Sequence, residues 1–302
     1  MLSKFKSFYK TVGGNEGNKC IYPTRLDVYG CGCQHDCKYC YAKSLLSFRG
    51  LWDAREPRVA DIRDIEKVIR KIPKDTIVRM GGMSDCFQPL ERDSRIALET
   101  IKLLNAYGVG YLIVTKSSLV ADEEYIAAMD KNLAHIQVTV TCLDDARAAA
   151  YEAASPPSER ITAIYALQDA GFDVALRISP LVEEYMDFSR LNTLKINKTM
   201  LEFLRVNSFI KKWFPDVDYS KYTLRQSNYW HLPLDEKLRL LGMVNLPSVS
   251  ICEDVSEHYD YWRDHYNPSK LDCCNFKPLG GTKGLEHISD VISVASVFGS
   301  YV

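Results

Sequence analysis

Three cysteines, Cys33, Cys37 and Cys40, form a C-x3-C-x2-C array inside the segment GCGCQHDCKYCY. Thiols this close in sequence can ligate one metal centre. Zinc sites of this kind usually carry a second, distant cysteine pair or add histidine, and no second C-x2-C pair occurs in the chain. An iron–sulfur cube held by three cysteines leaves one iron without a protein ligand, an open position that a ligand from outside must fill. A zinc knuckle or incidental cysteines are the competing reading. Cys31 offers C-x5-C with Cys37 and fits less well, so it is expected beside the centre. His35, between the ligands, is expected as a hydrogen-bonder of the loop.

Two other stretches carry chemistry-bearing types. Cys252 closes the last strand-like segment, and Cys273 and Cys274 follow in NPSKLDCCNFKP. These three would serve a second cluster or, in the plainer reading, remain buried free thiols, because adjacent cysteines rarely hold one metal well. Residues 211–233 interleave Lys211, Lys212, Lys221 and Arg225 with Trp213, Tyr219, Tyr222, Tyr229 and Trp230. Base stacking and phosphate contacts use those types together. The alternative is an amphipathic lid whose aromatics cover the core. Residues 259–266 (YDYWRDHY) balance their bases with acids.

Such groups need a scaffold to position them. Residues 25–30 (RLDVYG) read as a short strand that stops at glycine just before the array. From there strand-like and helix-like segments alternate, with helices expected at 62–72, 94–107, 121–129, 157–170 and 234–243. Strands are expected at 76–80, 111–115, 136–141, 174–178, 199–206 and 248–252. Repeated βα units predict an α/β fold with a parallel sheet, helices outside and functional loops at the carboxyl ends of the strands. The array loop, Gly81-Gly82, Lys116 and Cys142 then share one rim. We expect a single domain over residues 1–302: a mostly irregular lead-in at 1–24, a core at about 25–252, an insertion at about 187–233 and a C-terminal extension at 253–302.

Composition excludes several classes. At 302 residues, with 46% hydrophobic and 25% charged residues, the chain matches globular averages and not disordered, collagen-like or low-complexity sequence. A formal charge of -1 leaves nucleic-acid binding to a local patch. No apolar run approaches the ~20 residues of a membrane span, and the first residues lack a signal peptide's apolar stretch, so a cytoplasmic protein without membrane association is expected. Ten cysteines, unevenly clustered in a chain of this length, point to metal or catalysis and not to disulfides.

The array at the end of the first strand, with Tyr39 at the aromatic position before Cys40, resembles the radical S-adenosylmethionine (SAM) superfamily. The resemblance implies a partial (β/α)6-type parallel barrel, a 4Fe-4S cluster on Cys33, Cys37 and Cys40, and SAM chelating the fourth iron. It implies one-electron reduction by an external flavodoxin- or ferredoxin-like donor, and a 5'-deoxyadenosyl radical that abstracts hydrogen from substrate. Gly81-Gly82-Met83 resembles the superfamily's glycine-rich segment, with Met83 where an acidic residue is usual and Asp85 and Glu91 the acids nearby.

Over residues 25–182 the narrower resemblance is to the spore photoproduct lyase-like branch. It rests on GCGCQHDCKYCYAKSLL and on SPPSERITAIYALQDAGFDVALRISPLV, where Ser158 is expected to cap a helix and Gly171 to end it. The resemblance places Tyr39, Gly81 and Gly82 around SAM, Lys116 at its carboxylate and Thr139 beside the same ligand. A buried Arg177 would need an anion, either that carboxylate or a substrate phosphate. Tyr41 matches a tyrosine that, with a cysteine, returns hydrogen to the product radical. The donor cysteine's own position falls near Gly82 or Met83, so Cys86 and Cys252 are the candidate thiols. The function implied is lyase or isomerase chemistry on a thymine-derived base in DNA or a nucleotide. The alternatives are the same chemistry on a peptide or small molecule, and a non-catalytic metal-cluster protein that binds nucleic acid.

Overall fold

Seven short strands run parallel and in chain order across one sheet: β1 (Thr24–Asp27), β2 (Ile77–Met80), β3 (Gly110–Thr115), β4 (Ala134–Thr139), β5 (Asp173–Leu181), β6 (Thr199–Phe203) and β7 (Val249–Ile251). The computed structural model describes residues 8–11, 20, 22–74, 76–253, 255–267, 273–274 and 276. The expected α/β parallel architecture is therefore present. Helices supply the crossovers, among them α1 (Tyr41–Phe48), α2 (Ile62–Ile69), α3 (Ile96–Tyr107), α4 (Pro157–Asp169) and α5 (Leu234–Leu241).

The strands are buried on both faces, yet the two faces differ in chemistry. Along β4 the odd positions His135, Gln137 and Thr139 lie on one side of the pleat and Ile136 and Val138 on the other. In register beside them on β5 stand Asp173 and Arg177. The apolar side meets helices such as α4, whose Ile164 and Leu167 are fully buried, and the polar side faces the barrel interior. Arg79 of β2 and Cys252, just beyond β7, line the same cavity, so the two ends of the sheet curl toward each other into a partial barrel.

Local chemistry sets the boundaries of the helices. Asp61 caps α2 by accepting from the Arg63 N–H at 2.9 Å, and Ile65 and Ile69 give its buried face. Gly108, left-handed at φ 66°, closes α3.

Two expectations are corrected, and the mostly irregular lead-in gains one element: Phe8–Thr11 pairs antiparallel with β1 and occupies the sheet edge, where open backbone groups accept a strand despite its weak apolar pattern. The stretch 187–233 is not one insertion, because β6 lies inside it and hydrogen-bonds to both β5 and β7. Ser158 does not cap α4: Pro157 opens that helix after Pro156, and Ser158 instead bonds Asp145 through its N–H at 2.9 Å and its hydroxyl at 2.6 Å. Most of the expected C-terminal extension lies outside the described residues.

Candidate active site

The array loop leaves β1 through the two-residue strand Tyr29–Gly30 and is held from several sides. The Cys31 carbonyl accepts from the Asp53 N–H at 2.8 Å, Gln34 exchanges hydrogen bonds with Gln88 and the Leu90 N–H, His35 O accepts from Ala153 at 2.7 Å, and Lys38 donates to Tyr151 O at 2.9 Å. Gly32 lets the loop pass Asp53 closely, since a Cβ there would stand 1.8 Å from the Asp53 carbonyl oxygen. Cys40 ends the loop as the N-cap of α1.

Cys33, Cys37 and Cys40 line one cavity at the carboxyl ends of the strands. Among the described residues no three His, Cys, Asp or Glu side chains are placed to hold a single metal ion. Three thiols from one loop around one cavity would each hold one iron of a cube. Burial pushes the Cys33 thiol up to about 12 and raises Cys37 and Cys40 as well, so ligation must displace protons.

Gly81, Gly82, Lys116 and Thr139 line the same cavity. Gly81 is left-handed at φ 88°, and a Cβ on it would approach Val114 O to 2.7 Å. The turn is pinned by Asp27 of β1, whose carboxylate accepts from the Gly82 N–H at 2.6 Å and the Met83 N–H at 3.1 Å. The Lys116 ammonium sits 5.5 Å from the centre of the Tyr39 ring. The Thr139 hydroxyl is buried with no hydrogen-bond partner among the described residues. A cation and an unsatisfied hydroxyl beside a glycine turn fit a ligand that brings a carboxylate and an amine, as SAM does.

Asp85 takes up part of the polar role open beside Met83. It accepts from Thr115 Oγ1 at 2.8 Å and from the Lys116 N–H at 2.7 Å, and lies 3.3 Å from His35 Nδ1. Burial opposes its charge, but the histidine and the N–H donors outweigh that and hold it below the usual carboxylate range. Glu91 is away from the cavity: it is fully buried and accepts from Tyr29, Tyr125 and the first N–H groups of α3.

The remaining candidates divide. Tyr41 lines the cavity and donates to Gly82 O, with the Arg205 guanidinium 4.8 Å over its ring. Cys252 lines it too, and a hydrogen bond with Cys273 lowers its thiol against the effect of burial. Cys86 does not line it. Its thiol is buried in the core at 1% exposure, which removes it as a candidate thiol of the cavity. Arg177 lines the cavity, but the anion it needs is internal: Glu202 pairs with it, and Gln137 accepts from it at 2.8 Å. Cys20 joins Cys252, Cys273 and Cys274 in one gathering of thiols.

Sequence reading missed the support behind the array. Glu152 and Arg160 form an ion pair with no solvent exposure. Glu152 also accepts from the Tyr39 hydroxyl and lies 4.0 Å from Cys37 Sγ, while Arg160 donates to Thr139 O at 2.9 Å. The pair thus ties the loop to β4. Arg160 stood within the motif already singled out, and a charged residue in that helix's buried face was its one signal.

Comparison with known proteins agrees with this geometry. The family model for the Radical SAM superfamily matches residues 28–191, more than half of the chain. Uncharacterized proteins of Acidianus two-tailed virus and of Methanocaldococcus jannaschii are each 28% identical over 166 residues, 51% and 52% of this chain. The chain spans little more than half the length of these curated relatives, 54% and 60%. Spore photoproduct lyase complexed with dinucleoside spore photoproduct superposes with a TM-score of 0.59 at 15% identity, over 81% of this chain and 78% of that one. Streptococcus suis SuiB bound to precursor peptide SuiA gives 0.52 at 12% identity, over 78% and 50%. At such identities the likeness is one of fold.

Proposed function

Because the chain belongs to the radical SAM superfamily, we propose that it acts on a thymine-derived base in DNA or in a nucleotide, breaking or rearranging a bond as a lyase or isomerase. Its cofactors are a 4Fe-4S cluster and SAM. When bound, they supply a reductive cleavage whose 5'-deoxyadenosyl radical takes hydrogen from the substrate.

The protein's part is to hold and orient. Cys33, Cys37 and Cys40 would carry the cluster, with Tyr39 packed behind them on Tyr151 and Phe214. The Gly81-Gly82 backbone, the Lys116 ammonium and the Thr139 hydroxyl would receive the amino acid end of SAM. Tyr41 and Cys252, from the two ends of the sheet, are the hydrogen-atom relay to the product. Residues 1–302 act as one domain in this reading.

The observation that carries the proposal is the gathering around one cavity of the array thiols, the glycine turn, Lys116 and the Thr139 hydroxyl, which has no partner among the described residues. The choice of a nucleic-acid substrate draws on the hairpin Leu224–Gln226 and Tyr229–His231. Lys211 and Arg225 flank its Trp230 at 4.9 and 5.7 Å, both are exposed, and neither makes an ion pair among the described residues. The fold shared with a lyase complexed with a dinucleoside lesion points the same way.

The test is anaerobic: reconstitute iron and sulfide, add dithionite and SAM, and quantify 5'-deoxyadenosine with and without thymidine-containing DNA. Stimulation by the DNA is expected. Formation indifferent to DNA would move the substrate to a peptide or metabolite, and none from cluster-loaded protein would refute the enzyme reading.

A further inference from the structure

The cavity wall carries more cations than its carboxylates can satisfy. Arg79, Lys116, Arg177 and Arg205 line it, together with Asp85, Glu202 and Glu253. Each carboxylate is already engaged. Asp85 is held by His35, Thr115 and the Lys116 N–H. Glu253 is held from behind by Lys237 and by Trp262 Nε1 at 2.9 Å. Glu202 takes Arg177, Arg205 at 2.9 Å and Ser179 at 2.8 Å.

Arg79 is left over. It makes no hydrogen bond or ion pair among the described residues, and its Nε is buried without an acceptor. The groups around it are Tyr41, Cys252, Cys20, the already shared Glu202, and Asp27, whose carboxylate is taken up by the Gly82 and Met83 N–H groups. A guanidinium stays charged in proteins and offers a fork of N–H donors matched to phosphate or carboxylate. Leaving its buried Nε unpaired on the cavity wall is costly, so its counter-ion arrives with a ligand. Lys116 and Thr139 are placed for the carboxylate of SAM, which leaves the substrate to supply the anion.

We propose that Arg79 anchors an oxyanion of the substrate, of the kind a nucleotide phosphate presents, inside the barrel two positions before the Gly81-Gly82 turn. This deepens the proposed function and rests on reading the cavity as its substrate site. Cluster-loaded wild type, Arg79→Gln and Arg79→Lys are titrated by calorimetry with SAM, inorganic phosphate, thymidine and thymidine 5'-monophosphate. Loss of charge-assisted hydrogen bonds should weaken phosphate and the monophosphate about tenfold or more in Arg79→Gln. Arg79→Lys should recover part of that, with SAM and thymidine unchanged. Phosphate that binds wild type and Arg79→Gln equally, or binds neither, overturns the proposal. A fall in SAM affinity alone assigns the guanidinium to the cofactor and also overturns it. Arg79-dependent phosphate binding without recognition of the nucleoside keeps the oxyanion site and removes the thymine reading. Thymidine and its monophosphate binding alike, indifferent to Arg79, does the reverse.

Discussion

Breaking the Glu152–Arg160 pair from one side should cost far more than removing both charges together. Neither side chain has any solvent exposure. Glu152→Gln keeps an acceptor for the Tyr39 hydroxyl but leaves the guanidinium buried without its counter-ion, a loss of about 3–5 kcal/mol for one partner of a buried pair. Arg160 retains only the carbonyls of Thr139 and Ser155, at 2.9 and 2.6 Å. With an unfolding entropy of about 2.1 cal/mol/K per residue, a 302-residue chain loses about 1.6 °C of melting temperature per kcal/mol, so the midpoint falls by about 5–8 °C. Arg160→Met should cost a similar amount by stranding the carboxylate. The double variant removes both charges and should lie about 1–2 kcal/mol below wild type, giving a coupling of about 4 kcal/mol or more. Thermal and urea unfolding of the metal-free chain at neutral pH reads stability, and iron content after reconstitution reads the loop separately. Additive single costs, or a Glu152→Gln loss under about 1 kcal/mol, would refute the argument.

Other outcomes follow from the same geometry. Cys37→Ala should abolish 5'-deoxyadenosine formation, and product that survives this replacement would sink the cluster assignment. Gly81→Ala forces a left-handed residue against Val114 O and should cost about 1–3 kcal/mol, with weakened SAM binding in calorimetry. Burial raises Asp27 from 3.8 to about 6, opposed by the Gly82 and Met83 N–H groups. The stability its neutral form contributes is fully present below the unfolded value and is lost as pH rises through about 6, a change of about 3 kcal/mol. Asp27→Asn should therefore flatten the urea midpoint across that window, and an unchanged slope counts against it. Replacing Lys211 and Arg225 by Glu should lower the salt dependence of oligonucleotide binding by about 0.7 per lost phosphate contact, whereas an unaltered slope would exclude the hairpin as a nucleic-acid surface.

Local information sufficed for much of this protein. Most of the parallel strands are short apolar runs bounded by turns, and the array announces itself by spacing, so the sheet and the cluster loop could be read from residues close in the chain. The shared rim followed from the βα order, which sends every strand's carboxyl end the same way. Glu152 and Arg160 are also near neighbours, eight positions apart in the chain, yet their joint burial against Tyr39 was invisible until the loop and β4 were packed together.

Only the tertiary structure decided the rest. It placed Cys86, a candidate thiol in the sequence, in the core and off the cavity, just beyond the glycine turn. It supplied Arg177 with Glu202 from the next strand, a partner 25 residues away, and left Arg79 with none among the described residues. It also filled the sheet edge with Phe8–Thr11, whose sequence shows no apolar period. Pattern records which face of an element is apolar. Which charges meet inside a barrel depends on strand register and on how far the sheet curls, and both are set by packing across the whole chain.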